Sequence, residues 1–182
     1  MHNLINDEDL IQNMRKVWEQ HIYWTRMVLI SIAEKLRDLN TTNARLMQNP
    51  HDIGKIFAKH YNSKDVKKIE QLFTEHLQIG GEIITALRDG DNEKAKALDV
   101  KWHKNADEIA LAFSQMNPYY KYSDIQQMMY SHLALTNDEV KKRIAKKYSE
   151  DIKAFDKVEI EALKMADEFS NGIMNQFPHK FH

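Results

Sequence analysis

Long amphipathic stripes run through most of this chain and predict that nearly all of it is helical. Apolar residues recur at steps of three and four, and no sustained alternating run rich in valine, isoleucine and threonine indicates a β-strand. Only five glycines and three prolines interrupt the 182 residues. A chain with this pattern and so few breaks is expected to fold as long helices packed side by side.

Turn and cap residues divide the stripes into predicted elements. The predicted long helices cover about Asp7 to Arg37, Lys64 to Arg88, Asn92 to Ser114 and Thr136 to Gln176. Shorter helices are predicted after Asn49-Pro50 and from Ser123 through His132. The last long helix is placed by Thr136 and Glu139, which have the spacing of a capping box. Together these elements predict a single all-α domain over residues 1–182, an antiparallel four-helix bundle with one or two extra short helices.

Composition excludes several classes of function. The chain has 26 basic and 27 acidic residues, a balance that gives no electrostatic reason to expect a nucleic acid or an anionic membrane as partner. No cysteine is present, so disulfides and thiolate metal sites are excluded, and a cytoplasmic location is the default expectation. No glycine-rich phosphate loop or nucleophile elbow occurs, so neither a bound nucleotide nor a particular enzyme class is indicated.

A short motif occurs twice in the second half of the chain. The segments "NADEIALAF" and "MADEFSNGI" both hold Ala-Asp-Glu followed by an apolar residue. The Ala-Asp-Glu of the first copy begins 30 positions after His76, and that of the second begins 34 positions after His132. This echo indicates either a duplicated unit, over about residues 64–114 and 123–176, or a chance likeness between two helical segments.

Three histidines lie on apolar stripes and are the first candidates for chemistry. His21, His76 and His132 are separated by 55 positions (21 to 76) and 56 positions (76 to 132). A neutral imidazole binds iron, manganese or zinc, and helical bundles often build such sites in their cores from facing helices. The alternative is that each histidine is an ordinary core residue whose second nitrogen bonds a carbonyl or a carboxylate.

Two carboxylates near the middle of the last predicted helix complete the predicted metal site. Asp156 and Glu159 lie three residues apart on a face that also carries apolar residues. Because antiparallel helices bring their middles to one level, these acids are expected to meet the histidines. The chain has no Glu-x-x-His, the signature of ferritin-like di-metal bundles, so a site of that kind is not predicted.

Five further residues are predicted to support the site or to contact its ligand: Arg26, Asn105, Asp107, Glu108 and Asp167. For Arg26 the sequence leaves open a structural ion pair with Asp107 or Asp156, or the binding of an anionic substrate. Gly80, one helical turn after His76, indicates either close helix packing or space for a ligand above the imidazole.

Two functions other than metal binding stay open at this point. The stretch "WEQHIYWTRM" is apolar or aromatic on most sides of its helix, which favours burial on several sides or an oligomer contact. A non-catalytic scaffold protein, expected as a homodimer with structural core histidines, is therefore one alternative. A binder of small molecules, with a central cavity near Gly80 and Arg26, is the other.

Several segments resemble those of known bacterial proteins. The set "WEQHIYWTRMVLISIA", "RLMQNP", "TEHLQIGGEI", "NADEIA", "NPYY" and "SHLALT" resembles a group of short helical proteins of Gram-positive, often spore-forming bacteria. Some members are catalogued as acetylglutamate kinase. That enzyme family has a larger α/β fold with glycine-rich loops, which this chain lacks, so the resemblance implies a helical protein without that activity.

A second resemblance concerns one motif only. The segment "EQHIYW" is similar to the Glu-His…Phe-Trp pattern of a duplicated helical family of spore formers. That resemblance implies a bundle able to hold metal between histidine and glutamate. Here Gln20 separates the glutamate from the histidine, and no second copy of the tryptophan motif occurs.

Overall fold

The computed structural model describes residues 6–181, so residues 1–5 and His182 of the predicted domain lie outside it. Helices form almost all of the described chain: α1 (Asp7–Ala33), α2 (Leu39–Leu46), α3 (Asn49–Phe57), α4 (Ser63–Arg88), α5 (Asn92–Met116), α6 (Tyr122–Ile144) and α7 (Tyr148–Gln176). A short 3-10 helix, Pro178–Lys180, follows α7. The predicted all-α bundle is confirmed.

Five long helices form a closed ring. Around it α1 contacts α4, α4 contacts α5, α5 contacts α6, α6 contacts α7, and α7 returns to α1. The short helices α2 and α3 pack mainly on α1 and α4 and carry the chain from the end of α1 back to the start of α4. The result is a bundle of five long helices with a two-helix crossover.

Pairs of bonded side chains give the direction of each helix. On α1 and α7, Arg15 pairs with Asp167 and Arg26 with Asp151, so these two helices are antiparallel. The connections between α4 and α5, between α5 and α6, and between α6 and α7 are short, and each pair packs as an antiparallel hairpin. Consequently α1, α4 and α6 all run in one direction, and α5 and α7 run in the other.

Aromatic side chains fill one end of the core. Trp18 stacks on Phe169, and the Phe169 ring also contacts Phe113 and Phe57. All four of these residues are almost completely buried. Burying a large aromatic side chain contributes about 2 kcal/mol or more, so this cluster fixes how α1, α3, α5 and α7 meet.

The predicted start of the last helix was wrong. Thr136 and Glu139 do not cap a helix, because α6 continues through both of them to Ile144 and α7 begins only at Tyr148. Both side chains are buried, and the Glu139 carboxylate accepts a hydrogen bond from Arg26 of α1 instead of a backbone N–H. The helix predicted to be short is therefore the fifth long member of the bundle, with His132 in its middle.

Smaller differences concern helix ends. Helix α1 ends at Ala33, before the predicted end at Arg37, and Lys35 just beyond it adopts a left-handed conformation (φ 54°). Helix α2, which the sequence did not predict, follows. Helix α4 begins at Ser63, one residue earlier than predicted, and is capped by Asn62, whose side chain accepts from the N–H groups of Lys64 and Asp65. These changes at the helix ends do not alter which residues lie near the middle of each long helix.

Candidate metal centre

His21 of α1, His76 of α4 and His132 of α6 meet in the middle of the bundle. One ring nitrogen from each histidine lies within 4.8 Å of those of the other two. Their ring centroids form a nearly equilateral triangle, with sides of 6.1, 5.8 and 5.8 Å. This arrangement follows from the fold, because the three helices that carry the histidines are parallel and present them at one level.

The layers on either side of the histidines differ in size. Three residues before each histidine comes a large buried side chain, Trp18, Phe73 and Met129 in turn. Four residues after each histidine comes a small one, Thr25, Gly80 and Thr136 in turn. A cavity of about 30 Å³ lies on the side of the small residues, and all three of them line it. That volume accepts an ion with one or two small molecules, whereas sites for drug-sized ligands measure roughly 300–1,000 Å³.

Asn49, the first residue of α3, holds the His21 ring. The Asn49 side-chain NH₂ donates to the carbonyl oxygen of Val17 (2.9 Å), which orients the amide, and its Oδ1 lies 2.8 Å from Nδ1 of His21. An amide oxygen can only accept, so the His21 proton resides on Nδ1. The other ring nitrogen, Nε2, is then left with a free lone pair, as a metal ligand requires.

Asn105 of α5 holds the His76 ring in the same way. Its NH₂ donates to the carbonyl oxygen of Leu72 (3.0 Å), and its Oδ1 lies 3.2 Å from Nδ1 of His76. As with Val17 and His21, the bonded carbonyl belongs to the residue four positions before the histidine. Asn105, which the sequence predicts to support the site, thus contacts one of the three histidines.

His132 lacks such a partner. Its Nδ1 is buried, and no hydrogen-bond partner for it lies within the described part of the chain. An unsatisfied buried nitrogen costs roughly 1–3 kcal/mol. A group that bonded this nitrogen would recover that cost.

Burial keeps all three imidazoles neutral. It lowers the pKa of His21 to about 4, against a weaker opposing effect of the Asn49 hydrogen bond. Burial, and to a lesser extent the repulsion that a protonated His132 would feel from the His21 ring, lowers the pKa of His132 to about 3. The pKa of His76 falls well below its usual value through burial and through repulsion from the other two rings. At neutral pH the cluster therefore offers uncharged ligands, and a metal has no protons to displace.

The distances fit a transition-metal ion after a small adjustment. Bonds of about 2.1 Å in a tetrahedral site place ligand nitrogens about 3.4 Å apart. Since the three nitrogens lie within 4.8 Å of one another, binding would draw them together by at most about 1.4 Å. Rotamer shifts of the kind that a neighbouring cavity permits are enough for this.

The predicted carboxylate ligands lie elsewhere. Asp156 is exposed, and Glu159 is half-buried and accepts a hydrogen bond from the Tyr23 hydroxyl near the surface of α1 and α7. Neither belongs to the group of ligand atoms around the histidines. Their helix face borders the edge of the α1–α7 contact, whereas Val158 and Ala162 point inward. Their proposed role as metal ligands is therefore corrected.

Arg26 has a structural partner, as one of the two interpretations expected, but the acids differ from those named. It pairs with Glu139 of α6 and Asp151 of α7, both buried, and Arg143 approaches Asp151 at 3.5 Å. Burial raises the pKa of Glu139 to about 7, although Arg26 acts in the opposite direction. This ionic cluster ties three helices together near the C-terminal end of α1.

The remaining predicted residues do not reach the histidines. Asp107 accepts hydrogen bonds from Gln126 and Tyr130 of α6 at the surface. Asp167 forms a surface ion pair with Arg15, at 2.6 Å. Glu108 is half-buried at a surface groove beside Lys104. The two copies of Ala-Asp-Glu thus direct their aspartates toward the neighbouring helix of the ring rather than toward the centre, and duplication stays a prediction.

Two residues of the site were missed from the sequence. The sequence places Asn49 only at the start of a predicted short helix, although its side chain is fully buried against His21. Thr136 had been taken as the start of a helix. A signal for Thr136 exists in the sequence, since "HIYWT", "HLQIG" and "HLALT" all place a small residue four positions after the histidine.

No protein-family model matches this chain, and neither does any curated protein or any solved structure. The resemblances stated from the sequence therefore stay predictions. Among the described helices, none is both long enough and apolar enough to cross a membrane.

Proposed function

We propose that this protein binds one divalent transition-metal ion through His21, His76 and His132. The observation that carries the proposal is the convergence of three neutral, buried imidazoles from three helices, with one nitrogen of each within 4.8 Å of the others. Two of the rings are held in the ligating tautomer by buried asparagines, the kind of outer contact that accompanies metal-bound histidine.

The ligand set favours zinc or iron over manganese. Imidazole nitrogen suits zinc, iron, copper and nickel, whereas manganese prefers sites rich in carboxylate and water. No carboxylate of residues 6–181 joins the three histidines. Of the metals expected from the sequence, which were iron, manganese and zinc, the first and last fit this environment best.

The alternatives explain less of the geometry. If the histidines were only structural, the ring nitrogen that does not bond an asparagine would pair with another protein group. Instead the three rings face one another and a shared cavity. A binder of organic molecules would need more room than about 30 Å³. The scaffold function, a homodimeric state, the lack of a nucleic-acid partner and a cytoplasmic location stay predictions from the sequence.

Metal analysis of protein purified without a histidine tag tests the proposal. After reconstitution with zinc or iron and removal of loose ions, we expect about one ion per chain. His132→Leu should abolish stoichiometric binding, whereas His103→Leu, at a half-exposed histidine near Tyr130, serves as the matched control and should retain it. A content below about 0.2 ion per chain with zinc, and also with iron, would rule the proposal out.

A further inference from the structure

The two threonines of the small-residue layer are not equivalent. The Thr25 hydroxyl donates to the carbonyl oxygen of His21 in its own helix, at 2.7 Å. The Thr136 hydroxyl is buried, lines the same cavity, and has no hydrogen-bond partner in the described part of the chain. A buried threonine usually bonds the carbonyl one turn earlier, so this free hydroxyl marks a place where a ligand can be bound.

We propose that the bound metal keeps an exchangeable fourth position on the cavity side, and that Thr136 holds a small monoanion of one to three heavy atoms there. The inference rests on the proposed metal site and adds to it the kind of ligand that the site accepts. Three protein ligands with one open position are typical of reactive zinc sites, whereas structural sites have four protein ligands.

The shape of the site leaves one face for this ligand. Trp18, Phe73 and Met129 close the opposite side of the histidine layer with large buried side chains. On the cavity side, Thr25, Gly80 and Thr136 leave open space. A fourth ligand can therefore approach only from the side on which the free hydroxyl lies.

Charge balance selects an anion. Three neutral imidazoles leave the two positive charges of a divalent ion uncompensated, and the buried acids Glu139 and Asp151 are already paired with Arg26 and Arg143. An uncompensated charge in the interior is costly, and a metal-bound anion such as hydroxide removes half of it. The Thr136 hydroxyl can donate its proton to that anion, which would satisfy both groups.

A surface groove borders the cavity. A groove of about 400 Å³ between α1, α2 and α4 shares Val28, Leu77 and Gly81 with the cavity lining. A Cβ atom added at Gly81 would have nothing within 4 Å, so the groove wall is open at this point. This shared wall, thin at Gly81, is the place where a small ligand would enter.

Cobalt(II)-loaded protein provides the test, because the visible spectrum of cobalt reports its coordination. In the wild type we expect azide to change the spectrum saturably, and we expect imidazole, which is too large for the cavity, to leave it unchanged. Thr136→Val should weaken azide binding by about threefold to tenfold, the effect of one lost hydrogen bond. Thr74→Val is the matched variant: the Thr74 hydroxyl is bonded to the Glu70 carbonyl oxygen outside the cavity, so azide affinity should change by less than about twofold.

The outcomes separate this inference from the proposed function. If cobalt fails to bind, the metal site itself is wrong. If cobalt binds but azide leaves its spectrum unchanged, the metal site stands and the open fourth position is overturned. Equal azide affinities for Thr136→Val and Thr74→Val, both with wild-type thermal unfolding, would overturn the role of Thr136. A response to imidazole would overturn the size limit.

Discussion

Asn49 and Asn105 hold their histidines through the same pair of hydrogen bonds, although they belong to different helices and approach different members of the cluster. Each amide bridges the histidine Nδ1 and the carbonyl oxygen of the residue four positions earlier. The bridge fixes the ring orientation and the tautomer at once. His132, without such a bridge, is the histidine whose ring is least constrained.

Removal of either bridge should weaken metal binding. For Asn49→Ala and for Asn105→Ala we expect a loss in zinc affinity of about tenfold to a hundredfold, because the ring is no longer held in its ligating tautomer. Competition with a chromophoric chelator measures the affinity. Asn43→Ala, on the exposed side of α2, is the control and should bind like the wild type. Unchanged affinity in both bridge variants would show that the asparagines serve the fold alone.

Helix α6 shows how an element obtains its role from its length. Because it does not stop at Thr136, it carries His132, Thr136 and Glu139 on one face and contributes to both the histidine layer and the ionic cluster.

Helix α4 contributes in a different way, through two adjacent glycines. Gly80 allows the Trp102 ring to approach, whereas Gly81 faces open space.

Two glycine substitutions should have opposite effects on stability. Gly81→Ala should raise the free energy of unfolding by about 0.5–1 kcal/mol, because alanine favours the helix and its Cβ meets no atom within 4 Å. Gly172→Ala should lower the free energy of unfolding, because the added Cβ would overlap the buried Tyr120 ring. Urea unfolding of both variants measures these changes. Destabilisation by Gly81→Ala would contradict the open groove wall.

At the scale of the whole molecule, buried ionisable groups make stability depend on pH. The unfolded chain protonates its histidines near pH 6.5, but the folded cluster resists protonation down to about pH 4 or below. The histidines therefore lower the free energy of unfolding as the pH falls through this window. Glu139 acts with the opposite sign: its folded pKa of about 7 lies above the ordinary value of 4.5 for glutamate, so its protonation stabilises the fold as the pH falls.

His132→Leu isolates one histidine contribution. Between pH 7 and pH 5, metal-free wild type should lose about 2 kcal/mol more stability than the variant, because one imidazole that must stay neutral is gone. Urea unfolding at the two pH values, in the presence of a chelator, gives both free energies. Equal pH dependence of the two proteins would contradict the neutral buried state of His132.

The amino-acid sequence by itself determined the helical class, the approximate bounds of α1, α4 and α5, and the three histidines on apolar stripes, because side-chain periodicity and turn residues are local properties. Only the tertiary structure decided that α1, α4 and α6 run parallel, that Asn49 reaches His21, and that Asp156 and Glu159 stay near the surface. Those outcomes depend on the rotation and direction of each helix in the bundle. Packing between the helices of the ring sets their rotation and their direction. Packing also keeps α6 helical at Thr136 and Glu139, where the sequence predicts the start of a new helix.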